Sequence, residues 1–209
     1  LAFSVGLGIS ESAGARAAAD DKVQPVIDRV EKACLDQTVY MIGRKKAERL
    51  AELVREARPK VVVECGTAIG YSGLWIAREL KKSDGKLITI EINAARSREA
   101  EASFREAGLA DVAVFKVGDA KQAVKTLQGP IDFLFIDCGY SNYLPCLTEL
   151  LDELSDGATV VADNVGIGER GLSDYLNFVR KKHKSRTEWF DLDLPWAKRD
   201  AMEITVISR

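Results

Sequence analysis

The chain has 209 residues, 46% apolar and 30% charged, and its 30 basic and 32 acidic side chains leave a net charge of −2. That length suits one domain with a full hydrophobic core, and the near-balanced charge argues against a nucleic-acid or polyanion partner. A single histidine, His183, and four cysteines without Cys-x-x-Cys spacing argue against a histidine-based triad, a multi-histidine metal site and a disulfide framework.

Residues 1–9 are apolar and 13–19 are rich in small side chains, with neither a basic segment nor a starting Met. Residues 1–19 read as an arm that packs on a neighbour, or as the remnant of an export signal. Cys34, Cys65, Cys138 and Cys146 read as reduced thiols, which points to a cytoplasmic setting, with export as the alternative. No stretch is long enough to span a bilayer. Residues 20–209 then form the single domain.

Asp20 or Asp21 can cap a first helix with Pro25 in its first turn. Val23, Val26, Ile27, Val30, Ala33 and Cys34 give it an apolar stripe. Ala47, Leu50, Leu53, Val54 and Ala57 repeat the period over 44–57, and Pro59 ends that second helix. Together the two helices, 20–58, can form a lid over a core spanning 60–209. Val61, Val62 and Val63 read as a buried parallel strand closed by Glu64. Gly66, Gly70 and Gly73 make the turn into a helix that opens at Ser72.

A strand, a glycine-rich turn and a helix N-terminus make a nucleotide-type site. Thr67-Ala68 stand where a dinucleotide fingerprint has its second glycine, so no pyrophosphate needs cradling. Glu64 would repel a phosphate and suits a cation, such as the amino group of S-adenosylmethionine. Taken alone, the stretch is also compatible with an ordinary βα turn.

A second strand over 86–91 ends in Glu91, where an acid accepts hydrogen bonds from ribose hydroxyls. Asn93 caps the next helix and Gly108 stops it. The third strand, 112–117, leads to Gly118-Asp119. Asp119 can accept from an adenine amino group or cap a helix over 120–127. The fourth, 131–137, ends in Asp137 and precedes a helix over 142–154. The fifth, 158–164, ends in Asp163-Asn164. A helix over 171–182 and strands over 188–192 and 203–208 follow, the two strands joined by a loop holding Leu194, Pro195, Trp196, Ala197, Lys198 and Arg199.

This alternation gives a Rossmann-like α/β fold: a mostly parallel seven-stranded sheet, helices on both faces, and a C-terminal antiparallel hairpin. The strand C-termini of such a sheet form one crevice. It gathers Glu64, Glu91, Asp119, Asp137, Asp163 and Asn164. Asp137, Asp163 and Asn164 are oxygen donors of the kind Mg²⁺ takes, unless Asp163 and Asn164 only cap the next helix.

The order and spacing of Met41-Ile42-Gly43, Glu64 to Ser72, Leu87 to Asn93, Phe135-Ile136-Asp137, Asn142 to Pro145 and Val161 to Val165 resemble the class I O-methyltransferases of the small, metal-dependent catechol type. The resemblance implies S-adenosylmethionine as cofactor, bound by Ile42, Glu64, Gly66, Tyr71, Ser72, Glu91, Ile92 and Asp137. It places Gly118, Asp119 and Ala120 by the adenine. It implies a divalent ion, Mg²⁺, on Asp137, Asp163 and Asn164, and a small hydroxylated acceptor, aromatic with vicinal oxygens, beside Asn164. A homodimer is left open.

The family carries His-Trp-Lys after its first metal-binding Asp, with the lysine as base. Here Cys138-Gly139-Tyr140 follows Asp137, so the catalytic pair becomes Asp137 and Tyr140, and a phenol with a pKa near 10 is a poor base at neutral pH. The family's late acceptor-gripping Glu has Asp193 as its nearest candidate, and the aromatic gatekeeper near Thr38 is missing. Trp196 can stack on an aromatic acceptor or anchor the hairpin. Two other readings compete: a non-catalytic S-adenosylmethionine-binding module that has lost the lysine, and a nicotinamide oxidoreductase, which lacks the right glycine pattern.

Overall fold

Seven strands form one sheet in the order β3-β2-β1-β4-β5-β7-β6. β1 (Val61–Cys65), β2 (Lys86–Glu91), β3 (Ala113–Val117), β4 (Ile131–Ile136) and β5 (Leu154–Ala162) run parallel. β7 (Arg199–Val206) lies antiparallel to β5, and β6 (Lys184–Asp191) antiparallel to β7. The computed structural model describes the backbone of residues 10–209 and the side chains from Lys22 onward. The apolar stretch 1–9 of the expected arm lies outside the described residues.

Alternation along the central strands sends side chains to two cores. Val62, Leu87, Phe133, Phe135 and Val161 face α1 (Ser10–Gln37), α2 (Arg44–Ala57), α3 (Tyr71–Ser83) and α4 (Ala94–Glu106). Val63, Cys65, Ile90, Leu134, Ile136 and Val160 face α5 (Ala120–Ala123), α6 (Tyr143–Leu150) and α7 (Ser173–Lys182). Burial on both faces explains why these strands read as continuous apolar runs. Among the described residues no helix is long and apolar enough to cross a membrane.

Several element bounds differ from the sequence reading. α1 begins at Ser10 and runs through Pro25, so Pro25 is interior rather than in a first turn. The Ala-rich run 13–19 has the propensity to extend a helix backward. The expected helix over 142–154 stops at Leu150, because Leu154 already pairs with Ile131 as the start of β5. Asn93 does cap α4, its side-chain oxygen accepting from Ala95 N at 2.9 Å and Arg96 N at 3.2 Å.

Candidate active site

β1 and β4 are neighbours, yet α3, which follows β1, and α6, which follows β4, pack on opposite faces. The chain leaves the two strands in opposite directions, so a crevice opens above their C-terminal ends. A cavity of about 760 Å³ fills it, a volume in the range of small-ligand sites.

One end is built mostly from backbone. Gly66 has φ 108°, and a Cβ there would stand 1.9 Å from the carbonyl oxygen of Asp137. Only glycine lets the β1–α3 turn cross the end of β4 this closely. Gly66 N and Thr67 N both donate to Ile90 O. Glu91 ties the turns together: Oε2 accepts from Ala68 N at 2.8 Å and Oε1 from Asn93 N at 2.9 Å. α3 starts without a side-chain cap, so no side chain takes the N–H groups of its first turn. Ile42, Tyr71, Ser72, Ile92, Gly118, Asp119 and Ala120 complete this end. Asp119 also caps α5 through Lys121 N at 3.0 Å.

The other end is built from side chains of distant segments. Tyr40, before α2, meets Trp196 of the β6–β7 loop edge-on, with centroids 5.4 Å apart. Tyr140 lies over Gly168, where a Cβ would stand 2.7 Å from the ring. Asp137 and Asn164 border the cavity between these aromatics. Behind them Lys46 Nζ donates to Asp163 Oδ1 and Oδ2, at 2.6 and 2.8 Å, and to Asp200 Oδ2 at 2.8 Å. Burial pulls the Lys46 ammonium down, but the two carboxylates outweigh it and hold its pKa above the usual lysine value. Burial also pushes Asp137 well above the carboxylate range, helped by repulsion from Asp163. Asp200 is pushed up by burial but carried below its ordinary value by Lys46 and backbone N–H groups.

A methyltransferase-domain family model matches residues 63–165 of the chain. A probable O-methyltransferase of Mycobacterium tuberculosis is 30% identical over 172 residues, 77% of this chain and 72% of that protein. Catechol O-methyltransferase of Sus scrofa is 35% identical over 147 residues, 66% of this chain and 77% of that protein. The chain belongs to the catechol-type, S-adenosylmethionine-dependent O-methyltransferases. The fold agrees: an O-methyltransferase of Streptomyces achromogenes solved with S-adenosylmethionine superposes with a TM-score of 0.77 at 23% identity, covering 88% of this chain and 90% of that one. An O-methyltransferase of Bacillus cereus solved with S-adenosylhomocysteine gives 0.75 at 20% identity, covering 90% and 91%.

Some residues expected in the methyltransferase's site stand elsewhere. Glu64 is fully buried beneath the turn, accepting from Ser72 Oγ and Thr89 Oγ1, both at 2.6 Å. It braces the start of α3 from below instead of lining the cavity. Burial pushes its carboxyl up to about 7. Asp193 projects into solvent, 3.7 Å from Lys198 Nζ, because its neighbours Leu192 and Leu194 take the buried positions. Asp163 lies behind the cavity wall, engaged by Lys46. Burial pushes the Tyr140 phenol up, as do the charges of Asp200, Asp137 and Asp163, so it keeps its proton and does not serve as a base at neutral pH.

Sequence reasoning missed Lys46, Asp200 and Tyr40. Lys46 carried one usable signal: it falls beside Ala47 and three residues before Arg49 on the stretch whose apolar period buries Ala47 and Leu50, so it sits at the margin of a buried face.

Proposed function

We propose that this enzyme methylates one hydroxyl of a small, uncharged aromatic vicinal diol, assisted by a divalent ion, Mg²⁺, on Asp137, Asp163 and Asn164. The observation that carries this reading is the Asp137 carboxylate. It borders the cavity, and no hydrogen bond reaches it among the described residues. Asn164 commits its amide nitrogen to Asp163 and Asp200, which leaves its oxygen for a ligand. Asp163 Oδ1 accepts from Lys46 alone, and a carboxylate oxygen can take a second partner. Asp163 and Asp200 outnumber the Lys46 ammonium, and a divalent cation beside Asp137 would favour its ionised form over the protonated one that burial favours.

The cavity wall supports the acceptor class. Tyr40, Tyr140 and Trp196 offer faces and edges to a flat ring. Arg96 is the one basic side chain among the described lining residues, and it comes from α4 on the cofactor side. Nothing basic therefore meets an acidic acceptor at the aromatic end. Glu91 has lone pairs left for ribose hydroxyls, Asp119 for an adenine amino group, and the first turn of α3 faces the methionine carboxylate.

When bound, S-adenosylmethionine supplies an activated methyl group and the ion lowers the pKa of the acceptor hydroxyl. The acceptor oxygen would bond to the methyl carbon as the carbon–sulfur bond of the donor breaks. The aromatic walls hold the ring so that this oxygen lies in line, an alignment worth roughly 7–11 kcal/mol. They also exclude water, which strengthens the local charges. Ionised beside the ion, Asp137 would receive the hydroxyl proton, and Tyr140 would donate a hydrogen bond.

The test is transfer from labelled S-adenosylmethionine to 4-methylcatechol and related diphenols, with Mg²⁺, with chelator, and in Asp137→Asn. Transfer should require the ion, and Asp137→Asn should lower kcat by about 10²–10⁴-fold. Its cofactor Kd by calorimetry should stay within about 3-fold of the wild type. Tight cofactor binding without transfer to any diphenol would favour the non-catalytic binding module.

A further inference from the structure

Lys46 is only 1% exposed, and its three hydrogen bonds use all three ammonium protons. The partners come from segments far apart in sequence. Asp163 follows the end of β5 and Asp200 opens β7, while Lys46 itself sits in the first turn of α2. Asp200 extends the network: its Oδ1 accepts from Gly166 N at 3.1 Å and Ile167 N at 2.9 Å, and its Oδ2 from Asn164 Nδ2 at 3.1 Å. Asn164 itself has φ 57°, a conformation Asn tolerates better than most residues. Beside the backbone bonds of Val165 N to Ala201 O and Gly168 N to Asn164 O, the turn that carries Asn164 and Ile167 to the cavity is thus held by Asp200, and Asp200 is bonded to Lys46.

Burying an ion pair costs desolvation that an apolar strut would avoid. A strut alone therefore does not account for a lysine here. What the ammonium adds is direction: three bonds at fixed angles between two carboxylates. The cofactor end does not depend on it, being tied by Glu91, by the backbone bonds of Gly66 and Thr67, and by Tyr71 Oη donating to Glu31 at 3.0 Å.

We propose that Lys46 is a positioning residue for methyl transfer: locked between Asp163 and Asp200, it sets the Asn164–Ile167 turn against Asp137 at the acceptor end of the cavity. This rests on the reading of that end as the acceptor site.

Lys46→Met alone leaves two buried carboxylates facing each other, and the protein can fail to fold. The decisive variant is the double substitution Lys46→Met with Asp200→Asn. The wild-type cluster of Lys46, Asp163 and Asp200 has one positive and two negative charges; the double variant has one negative charge, so the net charge is unchanged. The amide that Asp200→Asn introduces also keeps an oxygen for Gly166 N and Ile167 N. The expected result is a kcat for 4-methylcatechol lowered about 100-fold, with its KM and the cofactor Kd each within about 3-fold of the wild type.

Hydrogen exchange gives a second measure that needs no acceptor. The peptide holding Gly166 and Ile167 should exchange at least about 10-fold faster in the double variant, with no change in α3. Wild-type kcat together with wild-type exchange would overturn the proposal. Parallel loss of cofactor affinity and kcat would also overturn it, reducing Lys46 to a general strut. Asp137→Asn separates the two readings. If it stays fully active, the acceptor site itself is misplaced. If it is inactive while the double variant is fully active, only the role of Lys46 falls.

Discussion

The two ends of the cavity are made from different materials. The end proposed for the cofactor is mostly backbone: a glycine crossing, N–H groups at an uncapped helix start, and Glu91 tying two turns. The end proposed for the acceptor is made of side chains from α2, the ends of β4 and β5, the β6–β7 loop and the start of β7. A site made of backbone tolerates changes of side chain but not an added Cβ. A site made of side chains depends on charges and rings that single substitutions remove.

The sharpest way to break this contrast is Gly66→Ala. Its Cβ would fall 1.9 Å from Asp137 O at φ 108°, so the strand ends must part. The expected cost is on the order of 3–5 kcal/mol of stability, with loss of cofactor binding, read by thermal melting and calorimetry. An alanine that leaves both intact would show the crossing to be slack.

Glu64 sharpens the contrast by pH. Its carboxyl titrates at about 7 in the folded protein against a reference of 4.5. The folded state therefore holds a proton that the unfolded chain has lost, and stability falls as pH rises from 4.5 to 7. The loss amounts to roughly 3 kcal/mol. Glu64→Gln should flatten that part of the melting-temperature profile, between about pH 5 and pH 8. An unchanged slope would assign it to another group.

The smallest effect belongs to the rim. Trp196→Ala should raise the KM for 4-methylcatechol about 10-fold while kcat changes less than about 3-fold, because it removes ring contact rather than alignment. Equal loss in both would mean that Trp196 holds the hairpin.

The same contrast explains what was legible in the sequence. The strands, the glycine turn, Glu91 and the Asp119 turn are local patterns, each decided within about ten residues by apolar period and turn chemistry. Even there, bounds and direction were not fully legible: the strand runs one residue past Glu64 to Cys65, and the Glu64 side chain points under the turn toward Ser72 and Thr89. Of the Lys46–Asp163–Asp200 cluster only Asp163 was read from the sequence, and the meeting of the three was not legible, because they come together only through sheet order. Asp193 was the only candidate named for the late acid, and Asp200 lies seven residues further on. Which of them turns inward is set by the pairing of Asp200 with Phe190 across β6 and β7, a register that no local pattern specifies.

β7 comes after β6 in the chain but lies between β6 and β5 in the sheet. A growing chain can pair β1 to β5 and form the cofactor end while β7 is still unmade. Asp200 arrives only with β7, and until then Lys46 lacks its second carboxylate and the Asn164 turn lacks its anchor. Closing the sheet and completing the wall around Asn164 are therefore one event.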